Sequence, residues 1–81
     1  QIRNSPTLQR VYGLSVREMD VLVLTIGGSS VAAIAKALYI SENTVKTHLK
    51  RIYVKLDVHS KDELRTTISD LLSAEGADLK Q

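Results

Sequence analysis

Apolar side chains recur at helical spacing from Leu14 onward, and polar residues with capping chemistry stand where each run begins. Ser15 is followed three residues later by Glu18. That is a capping box: the serine oxygen accepts from the third backbone N–H of a helix, and the glutamate reaches back to the serine N–H. Leu14 and Met19 occupy the hydrophobic-staple positions around it. A first helix is predicted to about Ile26, with Val21, Leu22 and Ile26 inward. Gly27 and Gly28 stop it, because glycine enters the left-handed region at no steric cost. Ser30 opens a second, short and alanine-rich helix to about Leu38, with Ile34, Ala35 and Leu38 as its inner stripe. Tyr39, Ile40 and Ser41 form a tight turn. Ser41 caps a third helix, about Glu42 to Leu56, with Ile40 and Val45 at staple positions. Asp57 and Val58 are a short link. Ser60 and Glu63 form a second capping box and open a fourth helix to about Ser73, striped by Leu64, Ile68, Leu71 and Leu72.

Outside these runs the text is different. Residues 1–13 are polar, hold the only proline and end in Gly13; they read as a linker or N-terminal extension with a short ordered piece around residues 8–12. Residues 76–81 read as a flexible, frayed tail, which leaves a folded unit over 14–75. No repeat and no strand candidate appears. The fold class is all-α: four helices, with a short helix, a tight turn and a longer helix in the middle.

The third helix has two chemically opposed sides. Val45, Leu49, Ile52 and Leu56 fall at i, i+4, i+7 and i+11 and share one face. Asn43, Thr47, Lys50 and Arg51 lie opposite, Lys46 sits on one shoulder, and Thr44 and Lys55 on the other. No acid follows Glu42 along this helix. The charge along the chain agrees with that picture. The net charge is +2, but residues 36–55 hold Lys36, Lys46, Lys50, Arg51 and Lys55 against Glu42 alone, while residues 57–81 are acidic on balance. A basic middle is either a solvated helix face or a surface that meets a polyanion. An α-helix fits the major groove of B-DNA; lysine and arginine can donate to guanine O6 and N7 there, and a threonine methyl can touch the methyl of thymine. Thr44, Arg51 and Lys36 have the chemistry to grip phosphates at the flanks.

Composition removes other classes. At 81 residues the chain is one small domain with a thin core and little room for a deep pocket. It has no cysteine, so disulfides, thiolate zinc sites and cysteine nucleophiles are excluded. No run approaches eighteen apolar residues. His48 and His59 are the only histidines; His48 is expected to pack at the core edge with one hydrogen bond rather than to bind metal. The Gly27-Gly28-Ser29-Ser30 stretch lacks the lysine and preceding strand of a nucleotide loop. Glu18 and Asp20 point apart on one helix and cannot flank a bond. No catalytic residue, cofactor, metal or small-molecule ligand is expected, and the chain does not read as an enzyme. It starts at Gln1, so it is expected to be a piece of a longer protein with any sensor upstream.

The short helix, tight turn and longer helix together make a helix-turn-helix, in which the second helix enters the groove. The stretch LSVREMDVL … IAKALYISENTVKTHLKRIYVKLDVHSKDEL resembles the DNA-binding domain of LuxR-type bacterial transcription regulators over residues 14 to about 72. Ser41, Thr44, Val45, Lys46, His48, Ile52, Lys55, Leu56 and Val58 carry the likeness. The resemblance implies a four-helix domain whose third helix reads the major groove of double-stranded DNA. It points to Lys46, Thr47 and Lys50 as base readers and to Ser41, Thr44 and Val45 as positions near the DNA backbone; Lys36, Asn43 and Arg51 complete the backbone set. It also implies a homodimer through the fourth helix on an inverted repeat, RNA polymerase as a further partner, and a cytoplasmic domain of a soluble or membrane-tethered protein.

The chain departs from the family pattern at four places. Val16 stands where proline is common, Ala33 where a glutamate is usual, and Asp57 where glycine is common. Aspartate tolerates the left-handed conformation better than most residues, so the last turn can survive. Arg65, Thr66 and Thr67 replace a small apolar run of the fourth helix, which bears on the dimer surface. Two alternatives remain open on sequence: a promoter-reading module like the fourth region of sigma factors, and a helical protein-interaction domain that no longer binds DNA. The closing VKLDVHSKDEL segment favours the regulator, since a sigma module ends sooner after its recognition helix.

Overall fold

A computed structural model describes residue 2 and residues 5–79, with side chains described through residue 75. The described residues are all-helical: α1 (Pro6–Arg10), α2 (Val16–Ile26), α3 (Val31–Leu38), α4 (Glu42–Leu56) and α5 (Lys61–Leu79). Helices α2 to α5 are the four expected from the sequence, so the expected third helix is α4. The short ordered piece near residues 8–12 is the extra helix α1, placed slightly earlier.

Each start has a chemical cause. The Ser15 box is complete: the Glu18 N–H donates to Ser15 Oγ at 3.1 Å, and the Ser15 N–H donates to Glu18 Oε1 at 2.9 Å. Ser30 and Ser41 cap α3 and α4 through the N–H groups of Ala33 and Thr44, both at 3.1 Å. At α5 the expected box forms only by half. The Glu63 N–H donates to Ser60 Oγ, but the Glu63 carboxylate accepts from the His59 N–H at 2.8 Å, one residue earlier than the cap. Two helices end on a left-handed residue that is not glycine: Tyr39 at φ 58° and Asp57 at φ 56°. The second bears out the expected tolerance of aspartate; the first had no sequence signal, because tyrosine gains nothing there.

The core is one cluster. Met19, Val21 and Leu22 of α2, Ile34 and Ala35 of α3, Val45, Ile52 and Leu56 of α4, and Leu64 and Ile68 of α5 are buried together. Helix α4 is its axis, packing on α2 and α3 and touching α5. Leu8 of α1 is fully buried in the same cluster, so residues ahead of Leu14 add to the core. α1 is also tied to the far end of the chain. Ser5, itself buried, donates from Oγ to Glu75 Oε2 at 2.7 Å and accepts from the Leu8 N–H. Hydrogen bonds from Thr7 and Ser5 hold the Glu75 carboxyl below its ordinary pKa.

α5 runs on to Leu79 instead of ending near Ser73. A single glycine at position 76 weakens a helix without breaking it, and the Ser5–Glu75 bond anchors the turn before it. Residues 80 and 81 of the expected tail lie outside the described residues. No helix among the described residues is long and apolar enough to cross a membrane.

Candidate nucleic-acid interface

The two sides of α4 separate in space as its periodicity demands. Val45 and Ile52 are fully buried, Leu56 nearly so, and Leu49 partly. Asn43, Thr44, Lys46, Thr47, Lys50 and Arg51 are all exposed, as are Ser41 at the cap and Lys36 on α3. Eight of the nine positions singled out from the sequence are therefore exposed, seven along α4 and its cap and Lys36 on α3. Val45 is the ninth, and it belongs to the core: its side chain has no exposure, and its N–H bonds the Ser41 carbonyl within the first turn. Val45 is one position from the exposed Lys46 but about 100° away around the helix, which is why a linear motif mixes core and surface positions.

The hydroxyls on this surface are already committed in part. Thr47 Oγ1 donates to the Asn43 carbonyl at 3.0 Å. Its one proton is thus used, and what Thr47 offers outward is a methyl group and acceptor lone pairs. Ser41 Oγ and Thr44 Oγ1 share a hydrogen bond at 2.9 Å beside the cap. The ammonium groups of Lys46 and Lys50 and the guanidinium of Arg51 are the charged donors of the outer face, and the Asn43 amide adds a neutral one.

Lys55 is the basic residue of α4 that leaves this set. Its Nζ donates to Glu18 Oε1 at 2.6 Å and to the Gly13 carbonyl at 2.9 Å. The Glu18 residue is 2% exposed and the Lys55 side chain 33% exposed. Burial by itself would raise the Glu18 pKa above 4.5; the hydrogen bonds from Lys55 and the Ser15 N–H, with the Lys55 charge, outweigh it and hold the carboxylate below that value. One carboxylate thereby completes the α2 cap and fixes α4 to α2. The capping role was legible in the Ser15–Glu18 spacing. The ion pair was not, because its partners are 37 residues apart.

His48 is half-buried, and its Nδ1 is buried with no hydrogen-bond partner among the described residues, in place of the one bond expected. No group of three or more acidic or imidazole side chains gathers among the described residues to hold a metal. Two shallow clefts run along the exposed side of α4. One, about 670 Å³, is bounded by Lys46, Lys50, Tyr53 and Val54 with the α4–α5 link; the other, about 440 Å³, by Thr47, Lys50, Arg51 and Val54.

Comparison with known proteins adds an independent line. The sequence pattern of GerE (bacterial regulatory proteins, luxR family) matches residues 12–67, more than half of the chain. The chain is 45% identical over 56 residues to the uncharacterized transcriptional regulatory protein YhcZ of Bacillus subtilis, covering 69% of this chain and 26% of that protein. It is 37% identical over 73 residues to the HTH-type transcriptional regulator MalT of Vibrio cholerae, covering 90% of this chain and 8% of MalT. It is 51% identical over 45 residues to the probable transcriptional regulatory protein NarL of Mycobacterium tuberculosis, covering 56% of this chain and 21% of NarL. The chain thus spans about a quarter or less of these relatives' length. No solved structure is a significant match. The family is one of DNA-binding regulators and not a class of enzymes. Fold, surface and comparison converge: the chain belongs to the luxR family of bacterial regulatory proteins and is a helix-turn-helix DNA-binding domain.

Proposed function

We propose that this domain recognises a particular duplex sequence by laying α4 in the major groove, as the output domain of a bacterial transcription regulator. Lys46, Thr47 and Lys50 face base edges. Lys36, Ser41, Asn43, Thr44 and Arg51 hold the sugar-phosphate backbone on either side. Val45 acts from beneath, by seating the first turn of α4 in the core. The observation that carries this reading is the outer face of α4. It presents three cations with no acid after Glu42, and the helix's other cationic side chain among these, Lys55, is withdrawn to the α2 seam.

Two copies bind an inverted repeat with half-sites about one helical turn apart, and α5 supplies the contact between them. Its exposed side there is polar, with Arg65, Thr66, Ser69 and Asp70, so that contact is hydrogen-bonded and weak in the absence of DNA. The domain works in the cytoplasm, where it can also meet RNA polymerase.

Selection of bound duplexes from a random library tests the reading. An enriched sequence is expected, bound with an affinity that falls steeply with salt as phosphate counterions are released. Recovery of no preferred sequence would overturn it. Sedimentation on the selected duplex tests the pairing: two chains per site are expected, and a one-to-one complex would remove the dimer.

A further inference from the structure

The exposed crest of α4 has one member that neither the charge pattern nor the motif accounts for. Asn43, Thr47, Lys50 and Val54 fall at i, i+4, i+7 and i+11, the same spacing as the buried row behind them, and so form one ridge along the outer face. The first three are polar. Val54 is apolar, β-branched and 72% exposed. Its place is not explained by packing, since it lies outside the buried cluster. It is not explained by helix propensity either, because valine is a weaker helix former than the lysines around it. Val54 and Lys50 are the two side chains common to both clefts along α4, so they stand on the crest between them.

We infer that Val54 is a specificity-determining residue that packs against the 5-methyl group of a thymine in the major groove. The inference rests on α4 occupying that groove. A helix rises about 1.5 Å per residue, which puts Val54 about 6 Å beyond Lys50 along the axis. That is about two base-pair steps of about 3.4 Å. Valine has no donor or acceptor, so it gains nothing from a phosphate, a guanine O6 or an adenine N6. The one apolar group a base pair presents in the major groove is the thymine methyl. The ridge would then read hydrogen-bonding edges through Lys50 and an apolar edge through Val54, on neighbouring pairs of the same half-site.

The test uses the full 81-residue chain and its selected duplex. Each thymine of a half-site is replaced in turn by deoxyuridine, which removes the methyl and nothing else. Wild-type protein is expected to lose roughly fourfold in affinity at one such position, the worth of one buried methyl-sized group. Val54→Ser, whose exposed site leaves the fold intact by circular dichroism, is expected to bind the thymine duplex about fourfold more weakly and to ignore the change to uracil at that position alone. Val54→Thr, close to valine in shape and keeping a methyl, restores the discrimination. If both proteins respond identically to every uracil, or if Val54→Ser weakens all duplexes equally, the assignment is overturned while the reading of α4 stands. If no duplex is selected by the wild-type chain, both fall together.

Discussion

At the seam between α2 and α4, the Lys55 ammonium is fixed on one buried carboxylate and one backbone carbonyl. On the crest of the same helix, Lys46, Lys50 and Arg51 stand in solvent. The contrast shows what position around a helix does to the same functional group. A desolvated charge needs every partner in place, and removing one leaves the other stranded. A solvated charge is stabilised by water and costs the fold nothing, so it can be kept for an anion that arrives from outside. Salt should therefore act on the crest far more than on the seam.

The largest expected effect comes from breaking the seam. Glu18→Ala removes the partner of Lys55 and half of the α2 capping box, and should cost about 2–3 kcal/mol in urea or thermal unfolding. The lower part of the usual range applies because Lys55, one-third exposed, can swing out to water. Glu18→Gln keeps a hydrogen-bond acceptor for the cap and should cost less. The pH dependence separates charge from hydrogen bonding. The folded carboxyl titrates below 4.5, so its contribution is fully present above that pH and is lost as pH falls through the folded value. The stability gap between wild type and Glu18→Gln should narrow below pH 4.5. A gap that stays constant down to acid unfolding would mean the ion pair contributes nothing.

On the crest the same kind of truncation should leave folding untouched and act on binding. Lys50→Ala is expected to cost about 1–3 kcal/mol on the selected duplex and to relax base preference at one position, with stability unchanged within about 0.5 kcal/mol. Arg51→Ala should be smaller and different in kind. It weakens all duplexes alike and lowers the salt slope by about one. A loss of stability from either would place that side chain in the fold and blur the contrast with Lys55.

The sequence disclosed the crest more readily than the seam, for a physical reason. Four of the helices are written in local spacing: Ser15 with Glu18, Ser30, Ser41 and the apolar rows of α2 to α5 all act within a few residues. The outward set on α4 follows from the same period, and so does the burial of Val45, which the period puts on the apolar row while the family likeness puts it near the DNA backbone. The Lys55–Glu18 pair, the burial of Leu8 and the Ser5–Glu75 bond depend on chain segments meeting from far apart, which no local pattern encodes. Val54 lies on the outward row by the same period, but its side chain carries no charge or polar group to mark it there.

The smallest expected effect concerns the turn that leads into the crest. Tyr39 and Asp57 adopt nearly the same left-handed backbone, at φ 58° and 56°, at the C-terminal ends of α3 and α4. Tyr39 is 94% exposed, so its ring recovers almost nothing from packing. A left-handed non-glycine residue costs about 1–2 kcal/mol, and replacing it by glycine returns about 0.5–1 kcal/mol of that cost as extra freedom of the unfolded chain. Tyr39→Gly should therefore stabilise the domain by about 0.5 kcal/mol, a rise of about 2–4 °C in Tm for a chain of this size. Asp57→Gly should gain less, because aspartate enters this region at smaller cost. A fall in Tm for Tyr39→Gly would show that the phenol holds a contact on the surface of the turn, and the helix-turn-helix would then be braced at its corner as well as at the α2 seam.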